Sequence, residues 1–178
     1  MKRRIQIGVI GDSSCSEEVV NLAYRVGKEV AINNAILLSG GRSGVMFGAS
    51  KGCKENGGLV VGILPGINEA DSQANEYLDV AIPTNLGWTR NSIVPMASDG
   101  IIVIGGRAGT LSEISFAWMY NKPIVSLIHE SLPDESWSKK LAGIQIDNRR
   151  DDMILGIKDP KDAVSLIISK ILEKNNLS

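Results

Sequence analysis

Apolar residues along this chain gather in short runs separated by turn residues: Ile5–Ile10, Ala35–Ser39, Leu59–Leu64, Val80–Pro83, Ile101–Ile104, Ile124–Ile128 and a weaker run at Ile154–Ile157. Most are continuous rather than alternating, which predicts strands buried on both faces, as in a parallel sheet. Between them the period changes. Val19, Leu22, Ala23, Val26 and Val30 recur at about 3.6 residues and share one helical stripe, with Ser14 and Glu17 at capping-box spacing before it. A second helix is predicted from Val45 to Asn56, stopped by Gly57-Gly58. A last one starts at Asp159-Pro160 and turns Ala163, Leu166, Ile167 and Ile171 inward.

Strands and helices that alternate with short loops build right-handed crossovers. The expected fold is therefore α/β: one Rossmann-like domain over residues 1–178, its mostly parallel sheet covered by helices on both faces. Ligands of such sheets bind beyond the carboxyl ends of the strands. Residues Ser131–Arg149, broken by Pro133, Trp137 and Gly143, fit no period and read as a lid or a surface excursion.

Composition narrows the function. A chain of 178 residues can bury one sizeable core. Lys and Arg nearly balance Asp and Glu, so the net charge of −1 supplies no field for DNA or RNA. Met1-Lys2-Arg3-Arg4 resembles the start of a secretory signal, but the next apolar stretch is short, holds Gln6 and Gly8 and runs into Asp12; it reads as a first strand. No apolar run nears the roughly 20 residues that cross a bilayer. Cys15 and Cys53 match no disulfide or metal spacing, which points to a reducing, cytoplasmic setting.

Three glycine-rich turns each join a strand end to a helix start: Gly8 to Ser14, Ser39 to Gly44 and Gly105 to Thr110. Glycine allows close backbone approach, and a helix N-terminus offers free N–H groups and a positive dipole end, so such turns suit phosphate. The pattern excludes two common nucleotide sites. The first turn lacks Gly-x-Gly-x-x-Gly, the second strand ends without a carboxylate for a ribose diol, and no Walker A lysine is present. The lone His129 has no second histidine or cysteine at ligand spacing, so no metal is expected. No resident cofactor is expected either.

Arg90, in Gly87-Trp88-Thr89-Arg90-Asn91, lies upstream of Gly109-Thr110-Leu111-Ser112-Glu113. On spacing alone, Glu113 could be the far end of a capping box begun at Thr110, and Arg90 a solvated surface residue. Together the two segments resemble the paired motifs of the LONELY GUY family, once described as possible lysine decarboxylases, and the glycine loop after Ser39 is similar too. The resemblance covers roughly Ile5 to Ile128. It implies a Rossmann-like phosphoribohydrolase that cleaves the N-glycosidic bond of a nucleoside 5′-monophosphate, with Arg90 and Glu113 as catalytic residues. Decarboxylation would need a pyridoxal phosphate lysine, and no lysine here has that context.

Under the same resemblance the 5′-phosphate would rest on Gly106, Arg107, Gly109 and Thr110. Gly41, Ser43 and Gly44 from the second turn and Gly11 and Ser13 from the first would close the opposite wall. Asn91 follows Arg90 where the enzymes carry lysine, and Gly105-Gly106-Arg107 fills the loop. In these features the chain looks closer to the branch of molybdenum-cofactor carrier proteins, which implies an alternative: a non-catalytic carrier or sensor of a phosphorylated cofactor. The expected partner is a small phosphorylated, nucleotide-like ligand, with neither nucleic acid nor membrane. Large apolar residues in Trp88–Met96 and at Phe116, Trp118, Met119 and Tyr120 further predict a homo-oligomer, dimer or tetramer.

Overall fold

Seven strands, β1 (Gln6–Gly11), β2 (Ile36–Ser39), β3 (Leu59–Leu64), β4 (Val80–Pro83), β5 (Gly100–Ile104), β6 (Ile124–Leu127) and β7 (Leu155–Ile157), form one sheet in the order β4-β3-β2-β1-β5-β6-β7. The structure is a computed structural model and describes residues 3–176, so Met1 and Lys2 of the basic N-terminal segment lie outside the described residues. Every strand pair is parallel, so the expected mostly parallel sheet is wholly parallel. Each expected strand is present within one residue of its expected ends.

The helices are α1 (Glu17–Ile32), α2 (Val45–Glu55), α3 (Glu69–Ser72), α4 (Ile93–Ala97), α5 (Ala108–Met119), α6 (Trp137–Leu141) and α7 (Pro160–Asn176), with a 3₁₀ turn over Gly87–Ser92 before α4. Alternate strand residues feed two cores. Ile7, Val9, Ile102 and Ile104 pack under α1, α2 and α7, while Ile10, Ile101 and Val103 pack against α4 and α5. Among the described residues no helix is long and apolar enough to cross a membrane.

Helix α1 is capped by Ser16, whose hydroxyl accepts from the Val19 amide, and not by Ser14. At Ser14 the chain is still in the loop, and the Ser14 carbonyl accepts from the Arg107 guanidinium at 3.1 Å.

Helices α1 and α2 pack closely through glycines. A Cβ on Gly27 would stand 1.9 Å from the Ala49 carbonyl oxygen, and one on Gly52 2.0 Å from that of Tyr24. Gly27→Ala gains about 1 kcal/mol of helix propensity but forces the helices apart, which costs about 3 kcal/mol or more in a packed core. The expected net result is a lower denaturation midpoint at unchanged m-value. A midpoint at or above wild type would show that the two helices slide freely.

The irregular stretch after β6 is pinned to the β5 turn. The Ser138 hydroxyl accepts from the Gly105 amide at 3.0 Å, and the Ser138 and Trp137 amides donate to the carbonyls of Gly105 and Gly106. Further along, Asp147 accepts from the Trp118 indole at 2.8 Å and Arg150 stacks on the same ring. These ties make the segment a fastened surface excursion. Trp118 is therefore buried, whereas Trp88, Met96, Met119 and Tyr120 are exposed.

Candidate functional site

The chain runs outward from β1 to β4, then crosses back to place β5 beside β1, and such reversals open a crevice beyond the strand ends. A cleft of about 450 Å³ lies there. Its walls come from Gly11–Ser14 after β1, Arg42 and Met46 after β2, Trp88, Arg90 and Asn91 of the 3₁₀ turn, and Arg107–Thr110 with Glu113 of α5.

Glycine is required where the walls meet. A Cβ on Gly11 would stand 2.2 Å from the Ile104 carbonyl oxygen, so β1 and β5 touch only because that side chain is missing. Gly105 and Gly106, at φ +68° and +106°, swing the chain off β5 so that α5 starts at Ala108. The first intrahelical bond runs from the Leu111 amide to the Arg107 carbonyl, which leaves the amides through Thr110 open at the cleft. The Thr110–Glu113 capping box that the spacing also allowed is absent. Arg107 occupies the N-cap position without a side-chain bond, and Glu113 lies a turn deeper in α5.

Glu113 faces Arg90, with Oε1 3.6 Å from Nη1, and both side chains are more than nine-tenths buried. Burial pushes the Glu113 carboxyl up to about 7, against the pull of the Arg90 charge. Burial likewise holds Arg90 below the ordinary arginine value; Glu113 opposes that shift and Arg42 adds to it. The Arg90 guanidinium lies across Gly40, where a Cβ would be 2.7 Å from Nη1 and 2.6 Å from the Met46 sulfur. Its Nε is buried and has no hydrogen-bond partner among the described residues. Asn91, also in the cleft wall, ties the 3₁₀ turn to α5, donating to the Ser112 hydroxyl at 3.0 Å and the Gly109 carbonyl at 3.4 Å.

Of the residues expected to hold phosphate, Gly11, Ser13, Arg107, Gly109 and Thr110 line the cleft. Gly106 does not, and its amide donates to Asp12 Oδ2 at 2.7 Å. Arg107 spends its guanidinium on Asp12, at 3.0 Å, and on the Ser14 carbonyl. Gly41, Ser43 and Gly44 also stand off the cleft. Gly41 packs on Leu64 and Gly62, the Ser43 hydroxyl donates to the Ser13 carbonyl, and Gly44 abuts Asp12 and Ser13. They shape the second turn so that Gly40 and Arg42 reach the site.

Sequence reasoning missed Asp12, Gly40, Arg42, Met46 and Trp88. Asp12 alone had a local signal, an acid placed directly after a strand-end glycine. Behind the Asp12–Arg107 bridge lies a second cavity of about 470 Å³, walled partly by Leu132, Pro133 and Ser136 of the pinned excursion. His129 bonds Ser131 through Nδ1, and burial raises the Cys53 thiol to about 12. The arrangement suits an anion at the α5 terminus, and Glu113 is poised to exchange a proton near neutral pH.

Residues 4–163 match the SLOG cluster4 family. The chain belongs to that family, and it is LONELY GUY-like. A protein of Archaeoglobus fulgidus is 44% identical over 123 residues, 69% of this chain and 80% of that one. Cytokinin riboside 5′-monophosphate phosphoribohydrolase of Mycobacterium tuberculosis is 33% identical over 118 residues, 61% of this chain and 62% of the enzyme. Among solved structures, the molybdenum cofactor binding protein of Rippkaea orientalis has 34% identity and a TM-score of 0.82, covering 96% of this chain and 99% of that one. The molybdenum cofactor carrier protein of Chlamydomonas reinhardtii has 31% identity and a TM-score of 0.78 at the same coverage. The fold is thus that of a Rossmann-like LONELY GUY relative.

Proposed function

We propose that the cleft binds a small molecule carrying a phosphate monoester, with the phosphate on the Gly109 and Thr110 amides and on Arg90. The observation that carries this reading is the Arg90 Nε, a buried donor without an acceptor beside the open end of α5. A buried donor left unmade costs about 1–3 kcal/mol, and a phosphate oxygen would remove that cost with a charge-assisted bond.

For the chemistry after binding, the reading is hydrolysis of the N-glycosidic bond of a nucleoside 5′-monophosphate. Water adds at the anomeric carbon as the bond to the base breaks. The Glu113 carboxylate takes one proton of that water and faces the positive charge growing on the sugar. The same proton is then passed to the departing base, so the water's hydroxyl ends on the sugar, its proton on the base, and Glu113 returns to its starting state. The likeness to the mycobacterial phosphoribohydrolase supports this route. The second reading, a carrier that holds a phosphorylated cofactor unchanged, is favoured by two observations: the likeness to molybdenum cofactor proteins spans nearly the whole chain, and Asn91 is committed to α5.

Incubation of the protein with a panel of nucleoside 5′-monophosphates, followed by chromatography for free base and ribose 5-phosphate, separates the readings. Turnover lost in Glu113→Gln is the expected result for the hydrolase. Saturable binding without products selects the carrier, and absence of both binding and products refutes the hydrolase.

A further inference from the structure

Among the described residues, two buried side-chain nitrogens lack a hydrogen-bond partner, the Nε atoms of Arg90 and Arg42, and both arginines line the same cleft. Arg42 stands in the turn after β2, on the far side of β1 from α5. Its backbone is fixed, because its carbonyl accepts from Asn75 at 3.0 Å and Gly41 and Gly44 flank it at φ +68° and +64°. Its guanidinium donates to Gln73 Oε1 at 3.2 Å, and among the described residues it forms no ion pair with a carboxylate.

The charges of the cleft are unequal. Arg42, Arg90 and Arg107 face Asp12 and Glu113. The Asp12–Arg107 bridge cancels, and Glu113 answers Arg90 in part. Arg42 is left over, near enough to Arg90 that its charge adds to the burial that disfavours the Arg90 cation. Two like charges held this way, each with an open N–H, are stabilised by one acceptor that carries more than one negative charge.

Resting on the phosphate reading above, we propose that Arg42 and Arg90 form a two-arginine clasp on one phosphate dianion, with Arg42 as the residue that selects a terminal phosphate monoester over a singly charged diester. The α5 amides bind either charge state, since a helix terminus counts as about half a charge. Arg42 adds the unit charge that distinguishes the two.

The test is calorimetric titration at pH 8 with ribose 5-phosphate, a dianion there, and with its methyl diester, a monoanion. Wild type is expected to bind the monoester about tenfold or more tightly than the diester. Arg42→Gln is expected to weaken the monoester about tenfold and the diester less than about threefold, and Arg42→Lys to restore part of the preference, as an ammonium keeps the charge but loses the fork. An unchanged melting temperature confirms that both variants fold, and Arg42→Lys serves alone if Arg42→Gln does not. Equal loss for both probes, or no loss for the monoester, overturns the clasp. If Arg90→Ala weakens ribose 5-phosphate while Arg42→Gln is silent, the clasp falls and the phosphate site stands. If neither probe binds wild type, both fall.

Discussion

Glu113→Gln is expected to raise the melting temperature at pH 8 and to abolish turnover of any substrate that the protein hydrolyses. The first effect follows from the burial that pushes this carboxyl from 4.5 to about 7. A group whose folded value lies above its unfolded one binds its proton more tightly when folded. Its contribution is therefore complete below the unfolded value, near pH 4.5, and is lost as pH rises through about 7. Above that, the folded state carries a buried carboxylate at a cost of roughly 3 kcal/mol, at about 1.4 kcal/mol per unit. Glutamine has the size and polarity of the protonated acid and never ionises, so the variant should be more stable by about 1–3 kcal/mol at pH 8 and equal to wild type at pH 4. Thermal midpoints across that range give the answer. A variant less stable at pH 8 would show that attraction to Arg90 outweighs burial. The second effect follows from removal of the proton acceptor, a role worth about 10²–10⁴-fold. Retained turnover would take the reaction away from Glu113.

The strands were legible because buried parallel strands mark themselves as apolar runs, and Ile101–Ile104 has no polar residue to blur its ends. The caps were less so, since Ser14 and Ser16 offer the same chemistry two residues apart. Ser16 takes the cap, while the Ser14 carbonyl meets Arg107, a partner 93 residues away in the chain. The Thr110–Glu113 spacing fits a capping box equally with an interior helical pair. Two glycines at positive φ, which move the helix start to Ala108, decide between them.

Long-range partners explain the remaining omissions. Gly40 resembles any loop glycine until Arg90 lies across it, and Arg42 resembles a surface arginine until its Nε is found buried. Arg90 and Glu113, 23 residues apart and singled out only through the resemblance in the motifs, stand 3.6 Å from each other. Three glycine turns converge on one edge, but the glycines of the second stand off the cleft wall. Arg42 of that turn lines it.

Arg90→Ala is expected to cost about 100-fold in affinity for ribose 5-phosphate, the loss of one or two charge-assisted bonds at about 1.5–3 kcal/mol each. A general loss of structure could imitate that result, but the buried pair supplies a second reading. Arg90 is what pulls the Glu113 carboxyl down against burial. Without it the folded value must climb above 7, so the variant should lose stability more steeply than wild type as pH rises past neutrality. Arg90→Lys keeps the charge and should restore that pH profile in large part, yet recover only a fraction of the affinity, since an ammonium cannot span Glu113 and a phosphate with a planar fork. Gly40→Ala gives the same question a steric form. Its methyl group would meet Arg90 Nη1 at 2.7 Å and displace the guanidinium with every charge intact. Affinity should fall in Gly40→Ala and the Glu113 profile should shift with it. If ribose 5-phosphate binds Arg90→Ala as tightly as wild type, the phosphate rests on α5 alone and Arg90 serves only to hold Glu113.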